Sequence, residues 1–380
     1  MKRSDVSVVY MPSQILHTLF GEDVIRVMYP AIHSRFGVVA EKALKKIQID
    51  YSAPFILGCQ GPDIFYHSQM TRPVALEYGT LLHRRGYGIF TAALLKMALP
   101  DPPPSEEDIR MFRREKAITA LGAYALGFMT HAMLDRRAHP YIVYKSGLAY
   151  PDRPSSLGKN AHAFLERILD VLMLDCLRGM PVSSWDQEAL LVSVCETPPP
   201  GLKDLLARAL ITAFPERAGG DRKLRERIEN TFRDCAAFYR YTDPRKTSLH
   251  NRDYGRESAG LIREIPLPYL YPEDLPRFID YLNEDHRTWF YPGGEGTPDS
   301  RSFPDLYREA VQAAATGLSV FITQYLETGT FPIKKAAQAI GNNGLSIQDE
   351  AGKPCAPVRT AALPLEEVLA QQERLRGRGP

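Results

Sequence analysis

Hydrophobic positions recur at helical spacing over most of the chain. Residues 13–36 keep this spacing and meet Pro30, which predicts a helix broken or bent there. Residues 74–99 predict one helix entered after Pro73, a favourable first-turn residue. Pro102, Pro103 and Pro104 then force a non-helical connection. Ser105, followed by Glu106, Glu107 and Asp108, makes a helix start. Helical spacing continues from there to about residue 144, in one piece or two. Residues 158–177 predict another helix, closed by Gly179 and Pro181.

Beyond Pro181 the texture changes. Shorter helical patterns at 187–195, 202–214 and 221–240 are separated by Pro and Gly turns. Residues 241–302 are rich in Pro, Tyr, Asp and Gly and read as long ordered loops. Helix returns at 302–326, and a short charged helix pattern at 366–376 ends the chain. Alternating runs are few and no βαβ rhythm occurs, so the expected class is all-α. The expected organisation is a helical core at 1–180, a helical and loop-rich extension at 181–330 packing on it, and a C-terminal appendage at 331–380 that can be trimmed.

A chain of 380 residues suits one large domain with additions, or two. The 47 basic and 45 acidic residues nearly cancel, so no bulk field argues for a nucleic-acid partner. The longest apolar stretch, 117–134, is interrupted by Thr119, Gly122, Thr130 and His131 and stops at Asp135. It predicts a buried core helix rather than a transmembrane segment. Lys2 and Arg3 are not followed by an apolar run, so no signal peptide is expected and the location is read as cytoplasmic. The five cysteines, Cys59, Cys176, Cys195, Cys235 and Cys355, form no C-x-x-C pair and read as reduced thiols outside any metal site.

The candidate chemistry lies in the histidines. His131 and Asp135 are four apart, so a helix sets both on one face within reach of one ion. His139 is four further on and could serve a neighbouring ion. His162 and Glu166 repeat the imidazole–carboxylate pair. A lone histidine on an apolar face is more often a hydrogen-bonded core residue, and either pair alone reads that way too. Both pairs sit in apolar helices, where such groups are costly to bury unless something compensates them, and a cation does. Nitrogen and oxygen donors without thiolates suit zinc. Upstream, Asp63 ends the Gly58–Asp63 turn, where it could equally cap the next segment, and His83 precedes Arg84 and Arg85 on a helix.

Taken together, these residues resemble the zinc-dependent phospholipase C family. That family includes bacterial phospholipases C and, more distantly, glycosylphosphatidylinositol-specific phospholipase D and the single-strand-specific zinc nucleases. The order shared with the family is His17, Asp63, His83, His131 with Asp135, His139, and His162 with Glu166. The turn ending in Pro62-Asp63, followed by Ile64-Phe65-Tyr66, is also similar, and the match spans about residues 12–180. The resemblance implies an all-α bundle around a multinuclear site of two or three zinc ions. Asp63, His83, His131 and Asp135 would hold one ion, and Asp135 would bridge to a second with His17. His139, His162 and Glu166 would hold the third. His67, four residues after Asp63, is the rival to His83. Secreted members complete the His17-type site with an N-terminal Trp, whereas the tryptophans here are Trp185 and Trp289.

The implied activity is a phosphodiesterase of the phospholipase C type, cleaving a phospholipid headgroup with metal-activated water and touching the membrane peripherally. The charge of the zinc ions exceeds that of the three carboxylates and leaves the site attractive to anions. Asp63 is the candidate to orient or deprotonate water, and Tyr66, Arg84 and Arg136 are candidates to contact substrate. Two other readings stand beside this one. The first is a hydrolase of a soluble phosphodiester or nucleic acid. The second is a non-catalytic helical protein with a structural zinc site.

Overall fold

A computed structural model describes residues 13–99, 118–147, 160–248 and 266–377. The expected Ser105 helix start and the loops at 249–265 lie outside these residues. Among the described residues the protein is all-α apart from one two-stranded antiparallel ribbon, Trp289–Phe290 with Pro298–Asp299. No described helix is long and apolar enough to cross a membrane.

Helix α1, Gln14–Phe36, runs through Pro30 without a break. Pro30 is exposed, so water can satisfy the carbonyl its ring leaves free. The chain reverses at Gly37, whose φ of 51° favours glycine, into α2, Val38–Lys45. A π-helical turn, Lys46–Asp50, leads to α3, Ser52–Cys59, which the hydrophobic pattern does not single out because every face of it is apolar.

The single helix expected over 74–99 is two. Helix α4, Leu76–Arg84, ends at Arg85, and α5, Tyr87–Ala98, starts after Gly86. Gly86 adopts φ 76°, and its N–H leaves the helical ladder to meet the Asn342 carbonyl at 3.0 Å. Helix α6, Ala120–Ser146, is one piece of 27 residues that contains Pro140. Helix α7, Asn160–Arg178, follows.

Helices α3 and α6 cross at two glycines. A Cβ on Gly58 would stand 2.2 Å from the Tyr124 carbonyl oxygen, and one on Gly127 would stand 2.3 Å from that of Phe55. The backbones therefore touch, and the turn after α3 is pressed onto the middle of α6. This contact brings Asp63 to His131.

The later helices pack on the same core. They are α8, Glu188–Glu196; α9, Leu202–Ala213; α10, Pro215–Gly219; α11, Leu224–Thr242; and α12, Pro244–Thr247. Then come α13, Phe303–Thr328, opened by a Ser302–Asp305 capping box; α14, Ile333–Ile340; and α15, Leu365–Leu375. One hydrophobic cluster includes Leu16, Phe128, Leu206, Phe303, Leu345 and Val368. Phe331, Ala336, Ile340, Leu345, Leu365 and Val368 belong to that cluster.

Candidate metal centre

Each of the eight residues expected as ligands is buried. His83 and His162 are 9% exposed, and the other six are 4% exposed or less. Five elements supply them: α1 (His17), the 3-10 turn Gly61–Phe65 (Asp63), α4 (His83), α6 (His131, Asp135, His139) and α7 (His162, Glu166).

Asp135 stands at the middle. Its Oδ2 lies 3.0 Å from His131 Nε2, 3.7 Å from His139 Nδ1 and 3.8 Å from His83 Nε2, and its Oδ1 lies 3.2 Å from His17 Nε2. Asp63 Oδ1 is 3.0 Å from His83 Nε2 and 3.9 Å from His131 Nε2. Glu166 Oε1 is 3.4 Å from His139 Nε2 and 3.3 Å from His162 Nε2. Three groups of donor atoms thus lie within 4.8 Å of one another: His17–Asp63–His131, His83–His131–Asp135 and His139–His162–Glu166. The first two share His131, whose single Nε2 lone pair serves one ion, so they form one constellation beside the third.

The fit to a metal can be tested on these distances. Donors about 2.0–2.2 Å from a tetrahedral ion stand about 3.4 Å apart. The observed separations of 3.0–3.9 Å bracket that value. Around Asp63 and Asp135, short as they are, these contacts are not well-directed hydrogen bonds. His83 Nε2, His131 Nε2, Asp63 Oδ1 and Asp135 Oδ2 are all buried without a hydrogen-bond partner. Lone pairs aimed at a common point rather than at one another suit a shared cation, and buried polar atoms left orphaned otherwise cost free energy.

The ring orientations agree. His83 Nδ1 meets the Gly79 carbonyl at 2.8 Å, His131 Nδ1 meets that of Cys59 at 3.1 Å, and His139 Nδ1 meets that of Leu345 at 3.3 Å. A carbonyl only accepts, so Nδ1 carries a hydrogen in each ring, and Nε2, facing the carboxylates, is the atom free to ligate a cation. His17 stacks on His131 with ring centroids 4.1 Å apart.

Electrostatics without a metal show what a cation would replace. Burial works against ionising Asp135 and Glu166, but the imidazoles outweigh it: His131 and His139 hold Asp135 well below the usual range, and His162 with His139 lowers Glu166 to about 2. Burial works against protonating His139, yet Asp135 and Glu166 raise it to about 9. Burial lowers His131, despite the charge of Asp135. Without a metal, the protonated imidazole of His139 supplies the positive charge that Asp135 and Glu166 face.

Two other candidates, His67 and Arg136, are engaged elsewhere, whereas Tyr66 and Arg84 lie beside His83. His67, the rival to His83, is stacked on Phe238 with centroids 4.0 Å apart, and burial lowers it to about 3. It is a core histidine. Arg136, expected to reach substrate, directs its guanidinium to the carbonyls of Ile340, Gly341, Asn343 and Gly344. That fan of acceptors engages its guanidinium. Tyr66 is 8% exposed, with its ring 5.0 Å from that of His83, while Arg84 is exposed next to the same ligand.

Sequence reasoning missed the residues that position the ligands. Asp170 accepts from the backbone N–H of Gln14 at 3.1 Å and Leu16 at 2.8 Å, and from the Ser13 hydroxyl at 3.3 Å. It caps the start of α1, which has no side-chain cap of its own, three residues before His17. Fully buried Arg167 lies 3.6 Å from Asp170 and donates to the Gln14 side chain and the Tyr269 carbonyl. A signal existed: Asp170 continues the four-residue step of His162 and Glu166 along an apolar helix. Comparison with family models, with curated proteins and with solved structures returns no match to this chain.

Proposed function

We propose that the protein is a zinc-dependent phosphodiesterase of the phospholipase C type. The observation that carries the reading is the convergence of buried Nε2 and carboxylate oxygen atoms at 3.0–3.9 Å, without directed hydrogen bonds, in residues that follow the ligand order of that family. Asp63, His83, His131 and Asp135 would hold one zinc, His139, His162 and Glu166 another, and His17 with Asp135 a third. Bound zinc would supply Lewis acidity toward a phosphoryl oxygen and acidify water.

The chain's own groups would do the rest. Asp63 keeps Oδ1 toward His83 and His131, and its carboxylate accepts the proton of the attacking water. That water attacks phosphorus, the P–O bond to the alcohol breaks, and the leaving alkoxide takes up the proton that Asp63 accepted from the water. His83 and His162 are the most exposed ligands, so substrate approaches along their edge. Arg84, exposed beside His83, draws the phosphate there. Tyr66 walls the same edge with its ring.

The test is hydrolysis of phosphatidylcholine vesicles by zinc-loaded protein, with diacylglycerol as the readout, beside a soluble phosphodiester and single-stranded DNA. Diacylglycerol release that chelation abolishes supports the reading. Turnover of the soluble diester or DNA alone would move the protein to the other hydrolase class. Zinc loading with turnover of none of the three would leave a structural metal site.

A further inference from the structure

The segment after α14 passes over the candidate metal ligands, and the backbone of a single residue touches two of them. The Leu345 N–H donates to the His83 carbonyl at 2.8 Å. The Leu345 carbonyl accepts from His139 Nδ1 at 3.3 Å. Leu345 itself is 0% exposed and belongs to the main hydrophobic cluster. One residue therefore ties α4 to α6 where each carries a ligand.

The approach is built for closeness. A Cβ on the preceding Gly344 would stand 3.3 Å from the His83 carbonyl oxygen and 3.1 Å from Pro354. The strand of chain before it is anchored along its length. Arg136 donates to the carbonyls of Ile340, Gly341, Asn343 and Gly344, satisfying acceptors that the end of α14 leaves open. Gly86 N–H meets the Asn342 carbonyl at 3.0 Å, and Gly88 N–H meets that of Gly341 at 2.9 Å. Arg136 follows Asp135 in the chain, so the anchor and the bridging ligand share one turn of helix.

We infer that this strap, residues 340–345, is a positioning element of the metal centre, with Arg136 as its lock and the Leu345 backbone N–H and carbonyl as its contacts. The inference rests on the zinc reading of the site. The Leu345 carbonyl fixes the His139 ring with hydrogen on Nδ1, which turns the Nε2 lone pair to the ion shared with His162 and Glu166. The Leu345 N–H holds the backbone of His83 at the neighbouring ion. Partners of this kind are worth about 10–100-fold in metal affinity.

The experiment uses the full chain. Wild type, Arg136→Met, Arg136→Lys and His162→Ala are loaded with zinc and dialysed against a weak competing chelator. Zinc per chain is then counted, with circular dichroism to check the fold and the absorption of cobalt-substituted samples to report ligand geometry. Arg136→Met should keep its helix content, yet bind zinc about 10–100-fold more weakly at the site that His162→Ala empties. Arg136→Lys should recover little, because one ammonium cannot span the carbonyls a planar guanidinium reaches. Gly344→Ala, whose Cβ would crowd the His83 carbonyl at 3.3 Å, is the second variant should Arg136→Met fail to fold. Folded variants with wild-type zinc content, affinity and cobalt spectrum overturn this inference alone. A wild-type chain that binds no zinc overturns it together with the metal reading.

Discussion

Gly61 faces the flat of the His131 ring so closely that a Cβ there would stand 2.3 Å from the ring Cγ. The residue also adopts φ 56°, which side chains resist. Space and conformation both require glycine, and the turn it permits carries Asp63 two residues later. Gly61→Ala should therefore destabilise the protein by about 1–3 kcal/mol through backbone strain and overpacking. It should also displace Asp63 and lower zinc affinity. Thermal melts with zinc titration check this; a variant that melts and binds zinc like wild type would refute the contact.

Metal removal should be felt through the whole fold. The ligands come from five separate elements, so a cation binding only the folded state adds stability. At free zinc a thousand times Kd that is about 4 kcal/mol. The purified protein is expected to carry two or three zinc ions, and chelation should lower Tm by several degrees, reversibly. Elemental analysis beside calorimetry checks both. Equal melting of chelated and loaded samples would refute the centre.

Asp135→Asn should cost more than His17→Ala. Asp135 meets His17, His83, His131 and His139, whereas His17 meets Asp135 alone among the carboxylates within 4 Å. Asp135→Asn should lose more than one ion and nearly all phosphodiesterase activity. His17→Ala should lose at most the ion it shares with Asp135. Zinc counting and initial rates on the preferred substrate compare them, and equal effects would remove Asp135 from its bridging role.

The effect of pH should differ with and without metal. In metal-free protein His139 is raised to about 9 from 6.5, so its contribution is fully present below 6.5 and is lost as pH rises through 9. Glu166, lowered to about 2 from 4.5, contributes above 4.5 and loses that contribution as pH falls through 2. Zinc competes with protons for the same atoms and binds better as they leave. The Tm gap between loaded and chelated samples should therefore widen from pH 6 to pH 9. Melts across that range would show a constant gap if the ligands were not shared with protons.

Asp170→Asn probes the cap on α1. The carboxylate receives two backbone N–H groups and a hydroxyl in a site without solvent, and an amide group there turns donors toward donors. The expected loss is about 2 kcal/mol or more. The His17-dependent zinc should weaken with it, while the His162 site stays loaded. A Tm drop with unchanged zinc content would make Asp170 a structural cap only.

Much of this was written in local spacing. Four-residue steps put His131, Asp135 and His139 on one helix and His162 and Glu166 on another, and apolar neighbours marked both helices as buried, because helix geometry and burial act over a few residues. Pattern alone did not divide 74–99, since the break at Gly86 is stabilised by Asn342, more than two hundred residues away. Nor did it mark α3, which is apolar on every side. His67 and His83 were rivals on spacing, and stacking on Phe238 against contact with Asp63 separates them. Arg136 looked free for a phosphate until the strap's carbonyls were brought around it. The sequence by itself determined the helical class and which residue types could bind an ion. Only the tertiary structure decided which donors meet, and that Leu345 joins them through its backbone. A peptide group is the same at every residue, so its partners are chosen by the fold and leave no mark in the side chains.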